Sequence, residues 1–307
     1  MEKDYVRQSL EKGKALEDLV PFEIYSHAEF LEMLKKEPIP PRVSSGIEKL
    51  DDFIRGFEAG RLYVLSAPTK MGKTTLAQTF MFNLALFGQA SLFFSYEMGW
   101  QEITKKYEQM KGEEPIPLPL FMPLELHRGG DGLQYQWLFD CIAKAKKEKN
   151  IKLVVIDHLH FLLPLMDFRN VSFIIGGIVR EIKRMCVLLN IPIILIAHTS
   201  KIKDDKVADH TDIRDSSFIT QEADVVLMLN REKNKNDAKK ITDKQRNETD
   251  DIYSNVATLS VELNRMTGKT GRVILWHNGS MFEKYDSIIH GIAQLNNKKT
   301  CTNYPTR

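Results

Sequence analysis

The sequence predicts an α/β domain: a mostly parallel central sheet flanked by helices, with antiparallel hairpin strands at the C-terminal end and a helical arm ahead of it. Three observations carry this. From Arg61 onward, short apolar runs bounded by polar residues alternate with helical patterns, the rhythm of strands joined by crossover helices. One run, RLYVLSA, feeds directly into the turn PTKMGKT and then a helical pattern. After Ala257 the runs ATLSVEL, GRVILWH and MFEKY follow one another with only turn signals between them, TGKTG and Asn278-Gly279.

Composition narrows the class. At 307 residues, 43% hydrophobic and 27% charged, the chain has enough apolar material for one large domain and lies outside disordered or collagenous compositions. Forty-three Lys+Arg against forty-one Asp+Glu leave a net charge of +2, so any nucleic-acid binding must come from local basic loops and not from a global field. Cys141, Cys186 and Cys301 are scattered, which argues against a disulfide framework or a zinc site. No apolar run reaches the ~18–20 residues of a membrane span, and the charged start MEKDYVRQSLEKGK is unlike a signal peptide. A cytoplasmic protein with no membrane partner is expected.

In chain order, residues 1–45 read as a helical arm and linker. Leu10, Leu16 and Leu19, then Phe30, Leu31 and Leu34, form a thin apolar stripe before Pro38, Pro40 and Pro41 stop any helix. Such a stripe needs a surface to dock on, in its own chain or a neighbour's. Residues 46–286 form the main domain, and 287–307 a flexible tail. Its buried strands are RLYVLSA, ASLFFS, KLVVID, PIILIAH and ADVVLML. The helix between the third and fourth carries Ile175, Ile178, Val179, Ile182, Met185, Cys186 and Leu189 at three- and four-residue steps. Residues 112–132 hold four of the twelve prolines and four of the seventeen glycines, so an irregular surface excursion is expected there. The polar stretch 231–255 reads as a mobile loop.

The chemistry lies where strand meets helix. Ala67, Pro68, Thr69, Lys70, Met71, Gly72, Lys73 and Thr74, followed by Thr75, match the phosphate-loop pattern GxxxxGK[ST] except that alanine stands at the first glycine. Backbone N–H groups at a helix start cradle phosphates, Lys73 supplies charge to the terminal oxygens, and the Thr74 hydroxyl suits magnesium. Lys73 is expected to serve the phosphates and to pack against nothing. KLVVID ends in Asp157, where a buried carboxylate after four apolar residues fits a second magnesium contact. Glu97, after ASLFFS, has two readings: the base that activates water, or an acid opening the next helix. His198 ends PIILIAH, where a lone histidine is ordinarily structural.

Five blocks resemble a family: GIEKLDDFIRGFEAGRLYVLSAPTKMGKTT, LFFSYEM, LVVIDHLHFL, DIRDSSFITQEADVV and NRMTGKTG. Together they are similar to the RecA-like ATPase domain of DnaB-type ring helicases, in detail to the helicase half of phage and mitochondrial primase-helicases. That resemblance implies a RecA-like P-loop NTPase using ATP or another NTP with Mg2+, with Glu97 as catalytic carboxylate and His198 as γ-phosphate sensor. It implies that Arg265 is an arginine finger reaching a neighbouring subunit's site in a hexameric ring. The family's lysine two residues before that arginine is here Leu263, and Ser217 replaces a usual glycine. It further implies that Arg169, Lys201, Lys203 and Lys206 lie on loops gripping single-stranded DNA, and that the arm packs on the adjacent subunit. A separate primase or loader is expected, in a bacterial host cell and possibly phage-encoded. The rival readings on the same fold are a RecA/RadA-like recombination ATPase and a nucleotide-switched loader.

Overall fold

The computed structural model describes residues 25–36, 41–112, 120–124, 132–162, 171–199, 208–213, 216–233 and 253–285. The chain divides into two compact units, 1–41 and 42–307. In the first, helix α1 (His27–Lys36) begins at a reciprocal cap: the Ser26 N–H donates to Glu29 Oε2 at 2.6 Å and the Glu29 N–H to Ser26 Oγ at 3.3 Å. It buries no residue, and Phe30, Leu31 and Leu34 are exposed.

The second unit opens with a small structure the sequence pattern does not reveal. Strands β1 (Arg42–Val43) and β2 (Phe57–Glu58) pair antiparallel around helix α2 (Glu48–Ile54). Asp51 holds the turn, accepting from Ser44 Oγ at 2.6 Å and from the Ser45 N–H at 3.1 Å, while Leu50 and Ile54 are buried.

The rest is β3 (Leu62–Ala67), α3 (Lys73–Leu86), β4 (Ser91–Ser95), α4 (Trp100–Lys111), β5 (Leu120–Phe121), α5 (Gly132–Lys149), β6 (Leu153–Asp157), α6 (Val171–Leu188), β7 (Ile193–His198), α7 (Ser216–Glu222), β8 (Val225–Lys233), β9 (Tyr253–Asn264), β10 (Gly271–His277) and β11 (Phe282–Lys284). Among the described residues these strands form one nine-stranded sheet in the order β11-β10-β9-β8-β3-β7-β6-β4-β5. It is parallel from β8 to β5 and antiparallel from β8 to β11, which is the expected fold class.

Each central strand buries both faces, so its side chains feed two apolar layers alternately. Tyr63, Leu65 and Ala67 join the layer built on α3, with Phe80 and Phe57. Leu62 and Val64 join the layer built on α5 and α6, with Leu138, Ile178 and Ile182.

Two expectations need correction. The excursion at 112–132 contributes β5, which extends the parallel sheet beside β4. The supposed loop 231–255 is shorter, because β8 runs to Lys233 and β9 starts at Tyr253. The antiparallel ladder with its register shifts continues further than apolar content signals. No helix among the described residues is long and apolar enough to cross a membrane.

Candidate nucleotide site

The parallel strands bring their carboxyl ends to one edge of the sheet. Ala67 at the end of β3 pairs in register with His198 at the end of β7, and Ser95 at the end of β4 pairs with Asp157 at the end of β6. Four segments distant in sequence therefore meet there.

The phosphate loop leaves β3 at Ala67 and enters α3 at Lys73. Gly72 caps that helix with φ +95°, a conformation L residues rarely adopt, and a Cβ there would stand 3.0 Å from the Phe282 ring. Phe282 is held by its N–H, which donates to Thr79 Oγ1 at 3.1 Å. Lys73 is buried, and its Nζ donates to the Ala67 carbonyl at 3.1 Å and the Pro68 carbonyl at 3.5 Å. The expectation that this lysine packs against nothing is thus corrected: it braces the loop it serves. Burial lowers its pKa, opposed by the nearby charges of Asp157 and Glu97.

Thr74 Oγ1 donates to Asp157 Oδ2 at 2.6 Å. Burial raises the Asp157 carboxyl to about 6, against the Thr74 hydrogen bond and with repulsion from Glu97. Its other oxygen, Oδ1, is buried with no hydrogen-bond partner among the described residues. A hydroxyl beside an unsatisfied buried carboxylate is a donor set that fits Mg2+, which takes oxygen ligands and keeps several waters.

Glu97 lies in the turn between β4 and α4, just ahead of the helix cap Gly99. Ser95 Oγ accepts from the Met98 N–H at 3.2 Å and donates to the Met98 carbonyl at 2.9 Å, a tight turn that presents Glu97 at the strand end. There Glu97 Oε1 lies 2.9 Å from His158 Nε2 and 3.4 Å from His198 Nε2. The two imidazole rings stand edge to face with centroids 4.1 Å apart. Burial, with His198, His160 and Lys73 nearby, lowers His158 to about 3, so the ring that approaches Glu97 is neutral. His158 was not among the residues singled out from sequence. Its signal there is adjacency to Asp157; Glu97, which it approaches, comes from the turn after a different strand, β4.

Arg265 is elsewhere. β9 is antiparallel to β8, Asn264 pairs with Val225, and Val225 pairs with Tyr63, so Arg265 leaves the sheet at its amino edge. The Arg265 N–H donates to the Asp224 carbonyl at 2.8 Å, and Nη2 donates to the Thr220 carbonyl at 2.9 Å. The length of β3 separates it from the phosphate loop of its own chain, about 13 Å along the strands alone. Asp224 fixes this corner, accepting from the Leu62 N–H at 2.7 Å, Lys183 Nζ at 2.5 Å and Arg61 Nη1 at 3.2 Å. Leu263, at the family's lysine position, packs against the apolar layer of α5 and α6. Arg169, Lys201, Lys203 and Lys206 lie outside the described residues, as does the side chain of Ser217.

A strand, a glycine-bearing phosphate loop and a helix, with an acidic residue ending a nearby parallel strand, define a P-loop NTPase domain of RecA-like fold. The chain belongs to the family described as the DnaB-like helicase C terminal domain, whose model matches residues 42–114 and 131–286. It is 26% identical over 225 residues to the replicative DNA helicase DnaB of Treponema pallidum, covering 67% of this chain and 51% of that protein. With the replicative DNA helicase DnaB of Mycoplasma genitalium it shares 28% identity over 261 residues, 76% of this chain and 54% of the relative. The chain thus spans about half the length of these relatives. Among solved structures, the ATPase domain of G40P matches with a TM-score of 0.64 at 20% identity, over 85% of this chain and 99% of that one. A DnaB-like replicative helicase studied for its interactions with primase matches with a TM-score of 0.62 at 19% identity, over 90% of this chain and 71% of that one.

Proposed function

We propose that this chain is the motor of a replicative DNA helicase: it hydrolyses ATP or another NTP between subunits of a hexameric ring and moves along single-stranded DNA to separate duplex. The observation that carries the reading is the meeting of Thr74, Asp157, Glu97 and His198 at one edge of the sheet in a member of the DnaB-like helicase family. Membership in that family favours a helicase over a recombination ATPase or a loader.

In the proposed mechanism the backbone around Gly72 and the Lys73 ammonium hold the β- and γ-phosphates, releasing part of the lysine's hold on the Ala67 and Pro68 carbonyls. Thr74 and Asp157 would hold Mg2+, which when bound neutralises charge on the phosphates. Glu97 accepts the proton of a water whose oxygen bonds to the γ-phosphorus as the bond to the bridging oxygen breaks. His198 contacts the γ-phosphate from the neighbouring strand end. Charge building on the transferred group needs a further cation, and Arg265 cannot supply it within its own subunit from the amino edge of the sheet. A neighbour's Arg265 does so, which ties hydrolysis to assembly.

In the chain Arg169 follows β6 and Lys201, Lys203 and Lys206 follow β7, and in this reading they grip the DNA backbone. The arm with exposed Phe30, Leu31 and Leu34 packs on an adjacent subunit. A separate primase or loader, and a bacterial cytoplasm or a phage infecting it, complete the setting. Forked-duplex unwinding by the purified chain tests the function. Strand separation that needs hydrolysable nucleotide and is lost in Lys73→Ala, with circular dichroism unchanged, is expected. Nucleotide turnover without unwinding would favour the recombinase or loader.

A further inference from the structure

We infer that Asp224 is a positioning residue for Arg265, setting where the guanidinium is presented to a neighbouring subunit; this rests on the reading of Arg265 as a finger acting between subunits. Two hydrogen bonds tie the arginine to one short segment. Its backbone N–H donates to the Asp224 carbonyl at 2.8 Å, and Nη2 donates to the Thr220 carbonyl at 2.9 Å. Thr220 stands in the last turn of α7, where carbonyls lack partners within the helix and the helix dipole favours a cation. Backbone and guanidinium alike are thus placed by residues 220–224.

That segment is in turn held by the Asp224 side chain. Asp224 is buried, and its carboxylate accepts from three donors: Oδ2 from the Leu62 N–H at 2.7 Å and from Lys183 Nζ at 2.5 Å, Oδ1 from Arg61 Nη1 at 3.2 Å. Its own N–H donates back to the Leu62 carbonyl at 2.9 Å. A buried carboxylate engaged on both oxygens fixes the backbone that carries it. Arg265, by contrast, is exposed, and a long side chain in solvent samples many rotamers unless its base and tip are tethered. Misplacing a catalytic group by about 1 Å costs on the order of 100-fold in rate.

The same contacts suggest a rival. Leu62 opens β3, the strand that feeds the phosphate loop, so Asp224 could serve the nucleotide site of its own subunit and not the finger. The two roles fall on opposite sides of a shared interface, and mixed rings separate them.

The test measures single-turnover NTP hydrolysis and binding of a fluorescent nucleotide. Asp224→Ala alone is expected to lower the hydrolysis rate about 10- to 100-fold, with nucleotide Kd within about threefold. Mixed equally with Glu97→Gln, which brings an intact finger, it is expected to give a fast burst near a quarter of the wild-type amplitude; mixed with Arg265→Ala, which brings none, it should give no fast burst above the two parents. Asp224→Asn keeps the side-chain length and an oxygen for the Leu62 N–H, and is expected to stay within about fivefold of wild type. Asp224→Glu keeps the charge but is one methylene too long, and is expected to behave like alanine.

A burst with Arg265→Ala equal to that with Glu97→Gln would overturn the inference, as would equal loss in the asparagine and glutamate variants. No burst with Glu97→Gln, or a Kd that rises as the rate falls, would overturn it in favour of the nucleotide site. Should Asp224→Ala misfold by circular dichroism, Asp224→Glu takes its place in both mixtures. Arg265→Ala mixed with Glu97→Gln separates the two levels: no burst there, with subunit exchange confirmed, removes the shared finger and this inference with it, whereas a burst there beside a contrary Asp224 result removes only the positioning role.

Discussion

Asp157 follows four buried apolar residues, with one carboxylate oxygen accepting a hydrogen bond from Thr74 and the other without a hydrogen-bond partner among the described residues, so its negative charge is costly until a cation arrives. Burial raises it from 3.8 to about 6. Between those values the folded chain holds a proton that the unfolded chain has released, so folding loses stability as pH rises through that window, by roughly 1–3 kcal/mol. Thermal melts of the nucleotide- and magnesium-free protein should therefore give a lower Tm at pH 7 than at pH 5 on this account. Asp157→Asn should reduce that drop and melt higher at pH 7, while losing magnesium-dependent hydrolysis. An unchanged pH dependence in the variant would show that the cost lies with other groups. The residues legible in advance were those of a contiguous motif or of a strand end: Gly72, Lys73, Thr74, Asp157. His158 was not, because what brings it to the site is its nearness to Glu97, a neighbour only in space.

At the scale of elements, the phosphate loop depends on a hairpin far along the chain. Phe282 on β11 lies against Gly72, and α3 holds it through Thr79. Gly72→Ala adds a methyl 3.0 Å from that ring, at φ +95°. The expected result is about 1–2 kcal/mol of lost stability and at least tenfold weaker nucleotide binding, measured by denaturant unfolding and by fluorescent-nucleotide titration. Stability lost with binding intact would separate Phe282 packing from phosphate contact. The central strands were readable because both faces are buried, which leaves continuous apolar runs. β1, α2 and β2 were not, since two-residue strands have no periodicity and are held by particular contacts, Arg42 with Glu58 and Asp51 with Ser44 and Ser45. β5 was hidden for a related reason: two paired residues inside a proline- and glycine-rich segment carry no strand pattern. The long ends of β8 and β9 are polar, and pairing across the ladder, which composition does not report, sustains them.

At the scale of the molecule, the sheet separates the chemistry into two edges. The phosphate loop, Asp157, Glu97 and His198 lie at the carboxyl edge, and Arg265 lies at the amino edge, tied to Asp224 and Thr220. The amino-edge corner is itself braced, because Asp224 joins the start of β3 to Lys183 on α6 and to Arg61. In the proposed ring, one subunit presents a nucleotide site on one edge and a cation for another site on the other, and closure lets every subunit do both. The most direct test mixes two inactive variants and measures single-turnover hydrolysis, which does not depend on successive firing around the ring. Arg265→Ala keeps the nucleotide site and lacks the cation; Glu97→Gln keeps the cation and lacks the base. Random mixing makes about a quarter of interfaces whole, one half times one half. A burst amplitude near a quarter of wild type at equal mixing, falling away at either extreme, is the predicted result. No burst above the two parents at any ratio, with subunit exchange confirmed by labelled chains, would contradict the shared site.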